Sequence, residues 1–221
     1  MPFAGFPSAA FDFYARLELD NSRPFWLANK ATYDEALKAP FAALSTDVAA
    51  RFGEMRLFRP HRDVRFSKDK SPYKTAAGAV TEGDDGSFYY VQVNAEGLFV
   101  GVGMYSMAAD QLERWRGSVD NNRRGAAIVH VVESLRNDGY EIGAMQSLKT
   151  APRGYPKDHA RVELLRMKGL TMGRSFPIAK WLSTSMALDR IIAVWTDAVP
   201  MSKWLGKHVG PSELTPEDWT M

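Results

Sequence analysis

Tyr33, Leu37, Phe41, Leu44, Val48 and Phe52 recur three or four positions apart, and beyond Gly53 that spacing stops. A spacing of three to four lines up side chains on one face of a helix, whereas strict alternation lines them up on one face of a strand. Pro40 interrupts the helical run, so a kink or a pair of helices is expected there. Gly53 is the natural stop. Residues 55–58 and 61–66 then alternate like strands, and 67–75 reads as a polar loop. Residues 83–86 form a turn, and segments 87–94 and 98–105, rich in Phe, Tyr and Val, flank Asn94-Ala95-Glu96-Gly97 as a hairpin. On its strands Val91 and Val93 are expected to face the core, opposite Phe88, Tyr90 and Gln92. The hairpin is expected to share one sheet with 61–66.

Helical spacing precedes and follows this block. Ser8 can cap a first helix through Phe11, Tyr14 and Leu17, ended by Asp20-Asn21-Ser22, and Pro24 suits the first turn of a second. Helices are expected again at 109–119, at 126–136, after an Asp158 cap, and over 177–209 with a break at Pro200. Helices, then strands, then helices argue an α+β fold, with an antiparallel sheet in the central third packed by N-terminal and C-terminal helices. One domain over residues 1–210 is expected, with 211–221 a frayed tail.

There is no cysteine among the 221 residues, which removes disulfides, thiolate nucleophiles and Cys-based metal sites together. The four histidines have no metal spacing, so no metal site is expected. Met1-Pro2-Phe3-Ala4-Gly5-Phe6 has no basic region ahead of an apolar run, and the apolar stretch 97–109 is too short to span a bilayer. A cytoplasmic protein with no membrane partner is expected. The net charge of +2 makes no case for nucleic acid by itself. Its distribution says more. Segment 56–74 holds Arg56, Arg59, Arg62, Arg65, Lys68, Lys70 and Lys74 against Asp63 and Asp69, a local excess of five positive charges.

Arginine presents a planar fork that matches carboxylate and phosphate oxygens, so such a cluster prepares an anion site. On a strand 61–67, His61, Asp63, Arg65 and Ser67 would point one way and Arg62, Val64 and Phe66 the other. One of Arg62 and Arg65 is therefore expected to be accessible in a cleft. Asp63 should contact a cation that lowers its pKa. Lys68, Lys70 and Lys74 would add mobile charges and Tyr73 a hydroxyl. The competing reading is an ion-pair ladder that only holds strands together. Two acids cannot neutralise seven bases, which favours a ligand.

The pattern formed by Arg59, Arg62, Asp63, Arg65, Phe66, Asp69, Lys70, Tyr73 and Lys74 resembles the signature of the domain of unknown function 2461 family. Asn21, Trp26-Leu27-Ala28-Asn29-Lys30 and Tyr33 before it, and Tyr89-Tyr90, Gly101-Val102-Gly103, Leu112 and Arg116 after it, extend the resemblance from about Phe11 to near Lys168. The resemblance marks the segment as defining and supplies no reaction.

Gly101-Val102-Gly103 lacks the third glycine of a dinucleotide fingerprint and reads as strand. Arg153-Gly154-Tyr155-Pro156-Lys157-Asp158-His159 is a second candidate loop, whose helix N-terminus could receive an anion. Read together, the two loops are expected to meet across a pocket rimmed by Tyr73 and Tyr155.

The leading reading is a protein that binds a phosphorylated or carboxylated small molecule through Arg59, Arg62, Arg65, Lys68, Lys70, Tyr73, Lys74 and Arg153. Asp63, Asp69 and Tyr73 are the candidates for acid–base work, without a recognisable catalytic constellation and with no cofactor indicated. The alternatives are a nucleic-acid-binding module using the same basic stripe, and a structural or interaction protein whose charges form an internal network.

Overall fold

The computed structural model describes residues 2–63, 65, 69–83 and 86–214. The expected strand anchors Val64 and Phe66, with Ser67 and Lys68, lie outside them, as do Asp84 and Asp85 of the expected turn and the tail from Thr215 onward.

Helix α1 (Ser8–Leu19) begins at Ser8 itself, so Ser8 is its first residue and Pro7 precedes it. Helix α2 (Arg23–Tyr33) has Pro24 in its first turn, and the Ser22 hydroxyl accepts the Phe25 N–H at 3.2 Å. The interruption expected at Pro40 is a π turn over Asp34–Lys38, after which α3 (Ala39–Phe52) continues. Proline lacks an N–H and crowds the carbonyl four residues back. Widening the turn relieves this, and the Ala39 N–H reaches the Asp34 carbonyl five residues back. Gly53 closes α3, its N–H on the Ala49 carbonyl at 2.9 Å.

The fold is α+β. Its antiparallel sheet comprises β1 (Arg56–Leu57), β2 (Ala76–Glu82), β3 (Phe88–Asn94), β4 (Gly97–Met104), β5 (Glu141–Gly143) and β6 (Leu170–Pro177). Among the described residues the strand order is β1-β2-β3-β4-β6-β5. The β3–β4 hairpin forms where expected, with the Asn94 side chain accepting the N–H groups of Glu96 and Gly97 at 3.0 Å each. Val91 and Val93 are fully buried, which places the hairpin's faces as alternation requires. Gly103 sits where a Cβ would lie 2.2 Å from the Leu170 carbonyl oxygen, so its place in β4 is a close backbone approach and not a phosphate turn.

Two expectations need correction. Of segment 61–66, the described residues 61–63 and 65 join no strand of the sheet, and among them only His61 pairs, in an isolated bridge to Tyr73. The sheet's place beside the hairpin is taken by β2, whose opening Ala76, Ala77, Gly78 and Ala79 carry little strand signal. Likewise the region expected to be helical from residue 177 follows β6, and comprises a 3₁₀ turn (Lys180–Ser183), then α7 (Met186–Asp197) and α8 (Val199–His208) with Pro200 in its first turn. The helices expected at 109–119 and 126–136 are α4 (Ala109–Asp120) and α5 (Asn122–Asn137), the latter capped by the Asn121 side chain. Short α6 (Val162–Arg166) is preceded by Arg161, not capped by Asp158.

The chain divides into two compact units. The first comprises Met1–Thr81, Tyr90–Val100 and Ser175–Ala193, and the second Glu82–Tyr89, Gly101–Arg174 and Val194–Met221. The first buries aromatic rings, among them Phe6, Phe13, Tyr14 and Phe41. The second is built on Trp115 and Trp195, both fully buried, with Val119, Ile128 and Leu165. Among the described residues no helix is long and apolar enough to cross a membrane.

Within the second unit the described part of the tail is held at the start of α4. Asp110 accepts the Ser212 hydroxyl and the Glu213 N–H, each at 2.9 Å, and Arg114 at 3.0 Å. Burial acts to raise the Asp110 pKa, but these bonds and the Gln111 N–H outweigh it and lower the pKa to about 2. A carboxylate depressed in the folded state stabilises it above the ordinary carboxylate range, and that contribution is lost as pH falls from about 4 to about 2. Asp110→Asn should therefore cost about 1–2 kcal/mol near neutral pH and speed amide exchange at Glu213. It should also flatten the acid limb of the stability curve between about pH 4 and 2, checked by chemical denaturation across that range.

Candidate functional site

Pro60 and Pro72 define the two limbs of the basic segment. Each lacks an N–H and biases the residue before it toward extended backbone, and each supplies a carbonyl acceptor. Lys74 N–H donates to Pro60 at 2.8 Å and Arg62 N–H to Pro72 at 2.9 Å, with His61 opposite Tyr73 between them. In this antiparallel pairing the central residues share no hydrogen bond and their side chains approach closely. The His61 and Tyr73 ring centroids are 5.1 Å apart.

The N–H and C=O of Tyr73 point away from His61, and Asn21 meets both. Asn21 Nδ2 donates to the Tyr73 carbonyl at 3.0 Å and Asn21 Oδ1 accepts its N–H at 3.1 Å. A side-chain amide thus stands in for a neighbouring strand. The Tyr73 ring stacks on Trp26 at 4.4 Å with planes 10° apart, and Trp26 packs in turn on Tyr33 at 4.9 Å.

Two aspartates set the local backbone among the described residues that follow and precede the limbs. Asp63 Oδ1 accepts the Arg65 N–H at 3.2 Å, and Asp69 accepts the Ser71 N–H at 2.9 Å and its hydroxyl at 2.6 Å. Side-chain capture of an N–H two residues on turns the chain and competes with a ladder.

Each aspartate also holds one arginine. Arg65 donates through Nε and Nη2 to Asp63 at 3.0 and 2.7 Å, and this fork, followed by the Arg65 N–H, lowers the Asp63 pKa as expected. Asp69 pairs with Arg62, and its pKa is lowered first by the Ser71 hydroxyl and N–H and then by Arg62. The Arg62 side chain is 26% exposed and that of Arg65 is 75% exposed, so neither is closed off. Arg62 Nε is buried and has no acceptor among the described residues.

Lys74 is half-buried, its Nζ 5.3 Å from the Phe58 ring centroid. Burial, then the charges of Arg59 and Arg62, hold its pKa below the ordinary lysine range. Arg59 is exposed and also acts on Asp63. The structure therefore brings Arg59, Arg62 and Lys74 together, with Asp63 and Arg65 alongside. Lys70 is exposed, and Lys68 lies outside the described residues. Tyr73 is 4% exposed, so its ring is a packing element and cannot rim an open pocket. Arg153 is exposed on its loop and belongs to the second unit.

A groove of about 480 Å³ in the first unit is lined by Phe41, Ser45, Met55 and Leu57, and by none of the motif's residues. No group of three or more His, Asp or Glu among the described residues could hold a metal ion. Sequence reasoning did not assign site roles to Asn21 or Trp26. An asparagine and a tryptophan some fifty residues upstream carry no local signal of the Tyr73 they hold.

Removing the Asn21 amide leaves a part-buried N–H and C=O unpaired. Asn21→Ala should cost about 1–3 kcal/mol and Asn21→Asp, which keeps the acceptor, less. Exchange at the Tyr73 amide should accelerate in Asn21→Ala and much less in Asn21→Asp, whose oxygen still accepts that N–H, as read by hydrogen exchange together with chemical denaturation.

Residues 9–204 match the family described as "Conserved hypothetical protein (DUF2461)". No curated protein matches the chain. With all but the ends of its length inside that match, the chain belongs to the DUF2461 family.

Proposed function

We propose that the chain binds an anionic small molecule, phosphorylated or carboxylated, in a shell formed by Arg59, Arg62, Arg65, Lys70 and Lys74, with Lys68 from the same segment. The observation that carries this reading is the crowding of Arg59 and Arg62 on Lys74, whose positive charge is disfavoured by burial and by both neighbours. Like charges gathered against their own repulsion are stabilised by an anion, which would reverse the direction of that shift. Asp63 and Asp69 orient Arg65 and Arg62, and the unsatisfied Arg62 Nε–H adds a donor awaiting an acceptor.

Binding is favoured over acid catalysis by these carboxyls. Both Asp63 and Asp69 are held below the ordinary range, so at neutral pH they are ionised and weakly basic. A cytoplasmic location, where phosphorylated metabolites are abundant, accompanies the reading.

Isothermal titration with inorganic phosphate and with citrate tests it. Arg59→Gln and Lys74→Gln should each weaken binding about tenfold or more. Each should leave the ligand-free stability within about 0.5 kcal/mol of the parent or raise it, since repulsion is relieved. A loss of stability with no anion binding would mean the charges are scaffold. Tight binding of a single-stranded oligonucleotide, falling steeply with salt, would mean a nucleic-acid module instead.

A further inference from the structure

The groove of the first unit runs along the outer edge of the sheet. Lys38, Ala42, Ser45 and Ala49 recur four, three and four residues apart, on one face of the π turn and α3, and form one wall. Met55 just before β1 and Leu57 within it form the other, with buried Phe41 and Ala79 completing the lining. Ala42, Ser45 and Ala49 are small, which leaves the space of about 480 Å³ between helix and strand unfilled.

The register of β1 decides what that edge offers. Arg56 lies opposite Val80 and Leu57 opposite Ala79, and the Phe58 N–H donates to the Gly78 carbonyl at 2.9 Å. Hydrogen-bonded and non-bonded pairs alternate along an antiparallel ladder, so Arg56 and Phe58 turn their backbone groups toward β2. Leu57 turns its N–H and C=O outward. Met55 has the same parity, and its N–H donates to Ser45 Oγ at 2.8 Å while its C=O accepts from that hydroxyl at 3.5 Å. A side chain of α3 thus closes the edge at Met55. Among the described residues β1 ends the strand order, so the edge at Leu57 faces no further strand of the sheet. Outward-facing backbone beside an apolar groove is the arrangement by which a sheet takes up an extended peptide.

Charge selects the occupant. Arg56 and Arg59 flank Leu57 and both are exposed, the Arg56 guanidinium 5.2 Å from the Phe58 ring centroid. The groove itself carries Lys38 against Glu54, which leaves the two arginines in surplus. A second copy pairing through the same edge would gather both copies' arginines along one seam, where they repel. An acidic strand meets no such cost. We propose that the β1 edge and its groove take an extended acidic segment of a partner protein, added as a strand beyond Leu57. Side chains of an added strand alternate, so the residue opposite Leu57 sets an apolar side chain into the groove and its neighbours carry carboxylates toward Arg56. Leu57 and Arg56, on which this inference turns, lie outside the anion shell.

Fluorescence anisotropy on the full chain, with a short fluorescein-labelled peptide of alternating valine and glutamate, tests it. That peptide should bind about tenfold tighter than one of alternating valine and lysine, and than one of alternating serine and glutamate. Arg56→Glu should weaken it about tenfold, and Ala42→Trp, which fills the groove from the helix side, by about as much. Both positions are exposed, so both variants should melt with the parent. The Leu57 amide should exchange freely in the unbound chain and about tenfold or more slowly with the peptide bound, as read by hydrogen exchange and NMR. Equal affinity for the three peptides, no binding of any, affinity indifferent to both substitutions, or binding that leaves Leu57 exchange unchanged would overturn the inference. Dimerisation that protects the Leu57 amide without peptide would overturn it in favour of a second copy. Inorganic phosphate adds no strand and reports on the anion shell alone, so either reading can fail without the other.

Discussion

Tyr73 is held from three directions, by Asn21 along its backbone, by His61 across the chain and by Trp26 on its ring. Three cations of the segment hang from that fixture. Lys74 follows Tyr73 directly, Arg62 follows its bridge partner His61, and Arg59 precedes the Pro60 carbonyl that receives the Lys74 N–H. Guanidiniums on a free loop would separate to lower their mutual repulsion. Here the backbone between Arg59 and Arg62 is tied to that between Pro72 and Lys74 by two hydrogen bonds, so the charges stay near each other.

The same architecture separates two kinds of charge. Asp63–Arg65 and Asp69–Arg62 are exposed pairs that use carboxylates to set local turns, and such pairs add little to stability. Arg59 and Lys74 sit in the field that remains. The aspartates therefore serve geometry more than neutrality, which is why the segment keeps a positive surplus after its ion pairs are formed.

The period change at Gly53, the β3–β4 hairpin and the aromatic helices around it were legible because each rests on a local repeat. The basic segment was legible as a cluster through its charge excess alone. Its backbone was not. Alternation over 61–66 predicted a strand, but among the described residues two prolines and two Asx captures compete with it, and all four residues were visible without their hydrogen bonds. Strand β2 was hidden for the opposite reason, since Ala76, Ala77, Gly78 and Ala79 have almost no side chain with which to alternate. The role of Asn21 was hidden by distance, since the Tyr73 backbone it holds lies many residues away and no spacing encodes it.

The π turn at Asp34–Lys38 has a consequence for the helical register. It spends one residue more than an α turn, which rotates everything after it by about 100° relative to an unbroken helix. Trp26 and Tyr33 before it face the aromatic stack, while Phe41 and Leu44 after it are turned onto Phe6 and the rest of the first unit's core. One continuous helix thus presents two differently aimed apolar faces. Loss of a single residue between Tyr33 and Ala39 would restore an ordinary turn locally and swing one of those faces away from its partners. The length of this stretch is thereby fixed as firmly as its composition.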